Sequence, residues 1–197
     1  MAPAPIEPAL GLLELESIAA GIEAGDAMVK RAPVEVLRAG TVHPGKYLVL
    51  VGGEVADVEE ALQAGREIGG LAVRDVTFLP AVHPDVVAGV RGRREAGQAE
   101  ALGIIETATV PAVIRAADAG LKGAQVRLLE LNLADDLGGK GYLLFGGTVT
   151  DVEAAVEIGT AAVGEARGLH SRVIAQLHTE MADELAASGR FASRVKD

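Results

Sequence analysis

The feature that most constrains the fold of this chain is an internal repeat. Segment 9–34 reads ALGLLELESIAAGIEAGDAMVKRAPV, and segment 101–126 reads ALGIIETATVPAVIRAADAGLKGAQV. The two segments are identical at 12 of 26 positions, where shuffled residues would agree at about two or three. A second pair of segments, 46–65 and 140–159, is identical at 10 of 20 positions. The repeat predicts two copies of one domain in a single chain.

The length of the chain sets the size of each copy. A chain of 197 residues leaves roughly 90 residues for each domain, which is enough for a small core. We predict domains at 9–87 and 101–187, joined by a charged, glycine-rich linker at 88–100. The offset between the copies changes from 92 to 94 at one loop, which reads GTVHPG in the first copy and NLADDLGG in the second.

Periodicity, capping residues and breakers predict the order β-α-β-β-α-β in each copy. The expected fold class is therefore α/β, more narrowly α+β, with two tandem domains related to the ferredoxin-like fold. Ser17 is the expected cap of the first helix, Asp57 and Glu60 have the spacing of a capping box, and Pro84 is expected to interrupt regular structure. The remaining elements are expected at 10–16, 34–37, 46–51, 73–79 and 179–188, with a loop at 40–45.

Composition excludes several classes of partner. The net charge of −10 disfavours nucleic acid. The longest apolar runs fall short of the 18 residues of a membrane span, and the first residues do not resemble a signal peptide. The chain has no cysteine, which is typical of a cytoplasmic protein. A hydrophobic fraction of 49% with only 3% aromatic residues indicates small aliphatic surfaces that are buried in an oligomer.

Catalytic and cofactor motifs fail on their spacing. Gly40 and Gly45-Lys46 resemble a phosphate-binding loop, but Tyr47 follows where serine or threonine is needed. The four histidines lack the spacing of a zinc site, and a nucleophile elbow is missing from the sequence. We therefore predict no catalytic residue, no metal and no cofactor. His83 and His178 fall at matching ends of the two copies, which predicts a shared structural role.

The repeated segments resemble the opening of the bacterial microcompartment (BMC) shell domain. ALGLLELES…GDAMVKRAPV and ALGIIETAT…ADAGLKGAQV carry this resemblance, and the elements that follow come in the order of the unpermuted domain. Two such domains in one chain are similar to the tandem-domain shell proteins, which form homotrimers that imitate a hexamer. The resemblance implies a trimeric pseudohexamer in a single layer.

The resemblance also implies roles for particular residues. The lysine after the first helix lies at the edge between neighbouring tiles, and this role would fall on Lys30 and Lys122. The loop between the second and third strands lines a central pore. Some tandem members hold an iron–sulfur cluster there through cysteine, but His43 stands at that place in this chain, so the expectation of no cofactor is kept. The pore-lining residues would be Thr41, Val42, His43, Pro44 and Gly45 from one copy, with Asp136, Leu137, Gly138 and Gly139 from the other.

The function implied by the resemblance is structural. The expected partners are two further copies of the chain, other hexameric and pentameric shell proteins, encapsulated enzymes and the small metabolites that cross the pore. Neither nucleic acid nor a membrane is expected as a partner, and the expected location is the shell of a microcompartment in the cytoplasm. One alternative stays open: duplicated ferredoxin-like domains also occur in trimeric regulatory proteins that sense small molecules. A cleft with convergent polar groups would favour that alternative.

Overall fold

The computed structural model describes residues 8–95, 99–135, 137–164 and 168–187. The first copy forms an antiparallel sheet with the strand order β2-β3-β1-β4. Two long helices and a shorter third helix accompany this sheet, and a 3-10 turn at Gly70–Ala72 follows the second helix. The elements are β1 (Ala9–Leu15), α1 (Ile18–Arg31), β2 (Val36–Val42), β3 (Lys46–Gly53), α2 (Val55–Gly69), β4 (Val73–Leu79) and α3 (Pro84–Val90).

The second copy repeats this architecture, with the strand order β6-β7-β5-β8 in its own antiparallel sheet. The predicted duplication and the β-α-β-β-α-β order are therefore confirmed. A C-terminal helix also begins at the predicted residue. The elements are β5 (Ala101–Thr107), α4 (Val110–Gly123), β6 (Arg127–Leu133), β7 (Gly141–Gly147), α5 (Val149–Val163), β8 (His170–Ile174) and α6 (Thr179–Ala187).

The first helix of each copy begins after a side-chain cap, which the sequence predicts at Ser17. Ser17 is extended, and its Oγ accepts a hydrogen bond from the Ala20 amide at 3.3 Å. Thr109 does the same for the Ala112 amide at 3.4 Å. The predicted capping box of α2 is wrong, because this helix already begins at Val55. Asp57 lies in its first turn, where a carboxylate favours the positive end of the helix dipole.

Strand β2 extends further than its sequence suggests. The predicted strand ended at residue 37, but Thr41 pairs with Tyr47 and Val42 pairs with Lys46 in the ladder with β3. Thr41 and Val42 are therefore strand residues, and the connecting turn is shortened to 43–45. The glycine at position 40 indicated a loop, but pairing along β3 satisfies its backbone and overrides that local signal.

Helix α3 is not predicted from the sequence, because the proline at its start indicates an interruption of regular structure. Pro84 is the first residue of α3 rather than a breaker, since the first turn of a helix does not need that residue's N–H. The Nδ1 atom of His83 accepts a hydrogen bond from the Asp85 amide at 3.2 Å and caps the helix. The linker therefore starts after Val90, later than predicted.

Strand β1 of the first domain is buried on both of its faces. On one face, Leu13 and Leu15 pack in an apolar cluster with Met28 of α1. On the opposite face, Leu10 and Leu12 belong to the cluster that contains the core of the second domain. Alternate residues of one strand point to opposite faces, so β1 contributes to two cores at once. The second domain therefore sits on the free face of the first sheet.

Helices α4 and α5 pack too closely to accept a larger residue at Gly159. A Cβ there would lie 2.9 Å from the carbonyl oxygen of Ala116 and 2.8 Å from Cδ1 of Ile105. Because a backbone carbonyl cannot rotate away, we expect Gly159→Ala to lower the free energy of unfolding by about 1–3 kcal/mol. The control is Gly40→Ala, where a Cβ meets open space among the described residues. Equal urea midpoints for the two variants would contradict the close packing.

Candidate functional site

The two domains meet where the first helix of the second domain lies on the sheet of the first. We call this contact the internal seam: helix α4 and Thr109 on one side, and β1, β4 and residues 80–83 on the other. Val110 and Ile114 of α4 are almost fully buried and share an apolar cluster with Leu12 and Leu79. The seam therefore has a continuous hydrophobic centre.

A buried carboxylate holds the inner part of the internal seam. Glu14, the polar residue near the end of β1, is completely buried. Its Oε2 accepts a hydrogen bond from the Val110 amide at 2.8 Å, and its Oε1 accepts one from Nζ of Lys46 at 2.6 Å. Burial raises the pKa of Glu14 above its ordinary value, although the Lys46 ammonium and the amide act in the opposite direction. One side chain thus joins a strand, the start of β3 and the start of α4.

An acid on the strand side and a base on the helix side form the middle of the seam. Asp75 of β4 accepts hydrogen bonds from Nη1 and Nη2 of Arg115 at 3.2 and 3.3 Å. Arg115 also donates to the Val76 carbonyl at 2.6 Å, and the Thr109 hydroxyl donates to Asp75. The hydrogen bonds among Asp75, Arg115 and Thr109 position α4 along β4.

The outer end of the seam contains one of the predicted tile-edge lysines. Nζ of Lys122 lies 2.6 Å from Oδ2 of Asp118 and donates a second hydrogen bond to the Ala81 carbonyl. Oδ1 of Asp118 accepts the His83 amide at 2.8 Å. The side chain of Lys122 remains 44% exposed, whereas Lys30, which pairs with Asp26 in the first copy, is 72% exposed.

His83 and His178 have the shared structural role that the sequence predicts. Nδ1 of His83 accepts the Asp85 amide at the start of α3, and Nδ1 of His178 accepts the Glu180 amide at 3.4 Å at the start of α6. Each histidine thus caps the helix that follows the last strand of its domain.

The two predicted pore loops lie side by side. A Cβ on Gly139 would be 3.1 Å from Cδ of Pro44 and 3.2 Å from Nζ of Lys46. His43 and Gly45 are exposed at the tip of the first loop, and the His43–Pro44 peptide bond is cis. Leu137 and Gly138 lie in the second loop, while Asp136 lies outside the described residues. The structure therefore brings together the loops that the sequence separates by about 90 residues.

The polar groups of the internal seam were not predicted as a site. Glu14 and Lys46 are 32 residues apart, and Asp75 and Arg115 are 40 residues apart. One signal was available for the first pair: the second copy has Glu106 and Lys140 at the matching positions. A carboxylate retained in both copies of an otherwise apolar strand indicates a buried partner.

The first helix of the first domain has the same apolar positions as α4, but they face outward. The residues 92 positions before the buried ones are aliphatic in each case. Their exposed fractions are 39% for Ile18, 57% for Ile22 and 39% for Val29, against 1% for Val110, 0% for Ile114 and 8% for Leu121.

The opposite end of the chain exposes the strand side of the same contact. The Glu106 side chain is 37% exposed and pairs with Lys140 at 2.6 Å, whereas the matching Glu14 side chain is 0% exposed. Ile174, at the place of Leu79, is 37% exposed. One chain thus contains a complete seam and, at its two ends, exposed residues that match the two sides of that seam.

The described part of the chain offers little for cofactor chemistry. Its histidine, aspartate and glutamate side chains form no cluster of three that could hold a metal ion. Among the described helices, none combines the length and the apolar composition needed to cross a membrane.

Comparisons with known proteins agree with the duplication. The model of the BMC domain matches residues 9–82 and 101–177, one match for each copy. The bacterial microcompartment shell protein PduT of Citrobacter freundii is 40% identical over 175 residues, covering 88% of this chain and 95% of that protein. Shell protein PduA of the same organism is 39% identical over 82 residues, covering 40% of this chain and 86% of that protein.

The fold is also similar to a solved structure. The crystal structure of a microcompartment protein from Desulfitobacterium hafniense superimposes with a TM-score of 0.75 at 39% identity, covering 89% of this chain and 98% of that chain. None of these matches supports the alternative of a metabolite sensor.

The raised pKa of Glu14 predicts a pH-dependent loss of stability. A carboxyl whose pKa is higher in the folded than in the unfolded state stabilises fully below its ordinary value of 4.5, and this contribution declines as pH rises through the folded pKa. We expect the free energy of unfolding of the native chain, minus that of Glu14→Gln, to fall as pH rises above the ordinary value of 4.5. The glutamine side chain of the variant does not titrate, so any change in stability that it causes is the same at every pH and leaves this slope unchanged. Glu59→Gln, on the exposed side of α2, is the control, because it makes the same chemical change outside the internal seam.

Proposed function

The chain belongs to the BMC domain family, and from this membership we propose that it is a structural tile of a microcompartment shell. In this proposal three copies form a homotrimer with six BMC domains around one axis. Each chain contributes two domains to this ring, at 9–87 and 101–187. The chain acts through assembly rather than catalysis, and the tile belongs to the shell of a compartment in the cytoplasm.

The observation that carries the trimer is the unequal burial of the two first helices. Helix α4 buries its aliphatic stripe in the internal seam, whereas α1 exposes the matching stripe. Burial of such half-exposed side chains stabilises an assembly by about 1 kcal/mol each. Since the second domain exposes the strand side of the same contact, a second copy can supply the missing half. The α1 stripe consists of Ile18, Ile22 and Val29.

The contact between copies is head-to-tail, because each chain presents a helix side at one end and a strand side at the other. Contacts of this kind close into a ring when the rotation between units divides a full turn, and otherwise form a filament. The pseudohexamer closes after three chains, with three internal seams alternating with three seams between chains. In this ring, the contact between neighbouring chains has the same geometry as the contact between the two domains of one chain.

The pore of the ring is lined by three copies of each unequal loop. The first loop contributes Thr41 to Gly45 and the second contributes 136–139, so the opening has threefold symmetry. Lys46 and Lys140 sit at the base of the loops, each held by a glutamate. In this arrangement small polar metabolites pass along the axis, and the loops determine the size and charge of the opening.

Contacts between tiles involve Lys30 and Lys122 at the rim of the disc. Both keep exposed side chains next to an acidic residue of the same helix. Other hexameric and pentameric shell proteins are the proposed neighbours at this rim, and encapsulated enzymes are proposed partners of one face.

Substitution of Ile22 tests the trimer. Light scattering of the native protein should give about three times the 20.1 kDa mass of one chain. Ile22→Asp places a carboxylate in the apolar seam, so we expect folded single chains. Ile68→Asp is the matched control, because Ile68 is 47% exposed on α2. A native protein that stays a single chain at micromolar concentration would contradict the proposal.

The rim lysines are tested by electron microscopy of assembled sheets. Lys30→Gln combined with Lys122→Gln removes both charges but retains a donor for the Ala81 carbonyl. We expect six-sided discs that no longer join edge to edge, because the charged contact between tiles is lost. Arg66→Gln, on the exposed side of α2, is the control. Normal sheets from the double variant would show that these lysines are ordinary surface charges.

A further inference from the structure

The internal seam has a defined charge polarity. The strand side carries an acid, Asp75 on β4, and the helix side carries a base, Arg115 on α4. Both side chains are mostly buried by the seam, which strengthens their interaction relative to an exposed pair. Thr77 lies two residues after Asp75, on the same face of β4, and is also buried.

The registers of the two sheets identify the matching residues of the second domain. Glu14 is opposite Asp75 between β1 and β4, and Glu106 is opposite His170 between β5 and β8. His170 therefore occupies the place of Asp75. In the same way, Leu12 is opposite Thr77 and Ile104 is opposite Arg172, so Arg172 occupies the place of Thr77.

The helix side is reversed as well. The residue 92 positions before Arg115 is Glu23, on the exposed stripe of α1 next to Ile22. His170, Arg172 and Glu23 are all exposed in the single chain. The hydrogen-bonding groups are therefore exchanged relative to the internal seam. Here the donors lie on the strand side and the carboxylate lies on the helix side.

From this reversal we propose that His170 and Arg172 of one copy bind Glu23 of the next copy, so that the seam between chains has the opposite charge polarity to the internal seam. The proposal rests on the trimer proposed above. A guanidinium and an imidazole N–H are both suitable donors for the carboxylate. Two further polar residues lie beside this contact. Ser17 occupies the place of Thr109, and Glu106, which pairs with Lys140, occupies the place of Glu14.

The reversal makes the two kinds of seam incompatible with each other. If the helix side of a first domain met the strand side of another first domain, Glu23 would face Asp75. If a second domain followed a second domain, Arg115 would face His170 and Arg172. Like charges at a partly buried contact are strongly unfavourable, and such repulsion is how specific interfaces exclude wrong partners. The internal seam already places first and second domains in alternation, and the reversal disfavours an exchange of domains between chains.

The test is a charge exchange measured by light scattering and native mass spectrometry. Glu23→Arg should raise the dissociation constant of the trimer at least tenfold, about 1.4 kcal/mol, because a base then faces His170 and Arg172. Glu23→Gln should weaken the trimer less. The pair His170→Asp with Arg172→Thr should also weaken it, since an acid then faces Glu23. Glu59→Arg makes the same charge change on α2 and should leave the trimer intact.

The decisive variant combines Glu23→Arg, His170→Asp and Arg172→Thr, which reproduces the polar pattern of the internal seam between chains. We expect this triple variant to form trimers again, and to form them separately from the native chain when the two are mixed. Circular dichroism of each variant checks that the chain is folded.

The outcomes separate the two proposals. A native protein that is not trimeric overturns the proposed function. A trimeric native protein whose Glu23→Arg variant associates normally overturns the reversed polarity alone. Folded triple variants that stay dissociated, or that mix freely with native chains, overturn it as well.

Discussion

The buried carboxylate of Glu14 is the interaction on which the arrangement of the two domains depends. A charge without solvent is costly unless it is hydrogen-bonded, and here the partners come from two places, the Lys46 ammonium and the Val110 amide. The lysine belongs to the strand that leaves the first loop, and the amide belongs to the first residue of α4. Because both must be in place together, the position of the second domain and the base of the loop are coupled.

Duplication and fusion explain why one chain contains the internal seam and, at its two ends, exposed residues that match the two sides of this seam. In the internal seam, the aliphatic residues of α4 cover the free face of the first sheet. The matching residues of α1 are aliphatic as well, so the apolar part of the contact is retained in both copies. The polar part differs, since Asp75 and Arg115 are replaced by His170 and Glu23. In the proposed contact between chains, as in the internal seam, hydrophobic burial supplies the attraction and the charged residues select the surfaces that meet.

The two loops are the other place where the copies differ. The first loop is a short turn after an extended strand, and the second contains glycines with positive φ at Gly138 and Gly139. Gly139 lies against Pro44, where a side chain would collide. Both loops end at a lysine that pairs with a glutamate, so their bases are equivalent while their tips are not. A duplicated domain can in this way keep the same fold in both copies and vary the residues of one loop.

The sequence alone determined the duplication, the β-α-β-β-α-β order of each copy, the cap at Ser17 and the candidate loops. These features depend on identity between the copies or on residues a few positions apart, which a single sequence displays directly. The tertiary structure decided the continuation of β2 to Val42, the use of Pro84 to begin α3, and the pairing of Asp75 with Arg115. Those features depend on a strand or helix from a distant part of the chain, because ladder pairing and the burial of charge are satisfied only after the chain has packed.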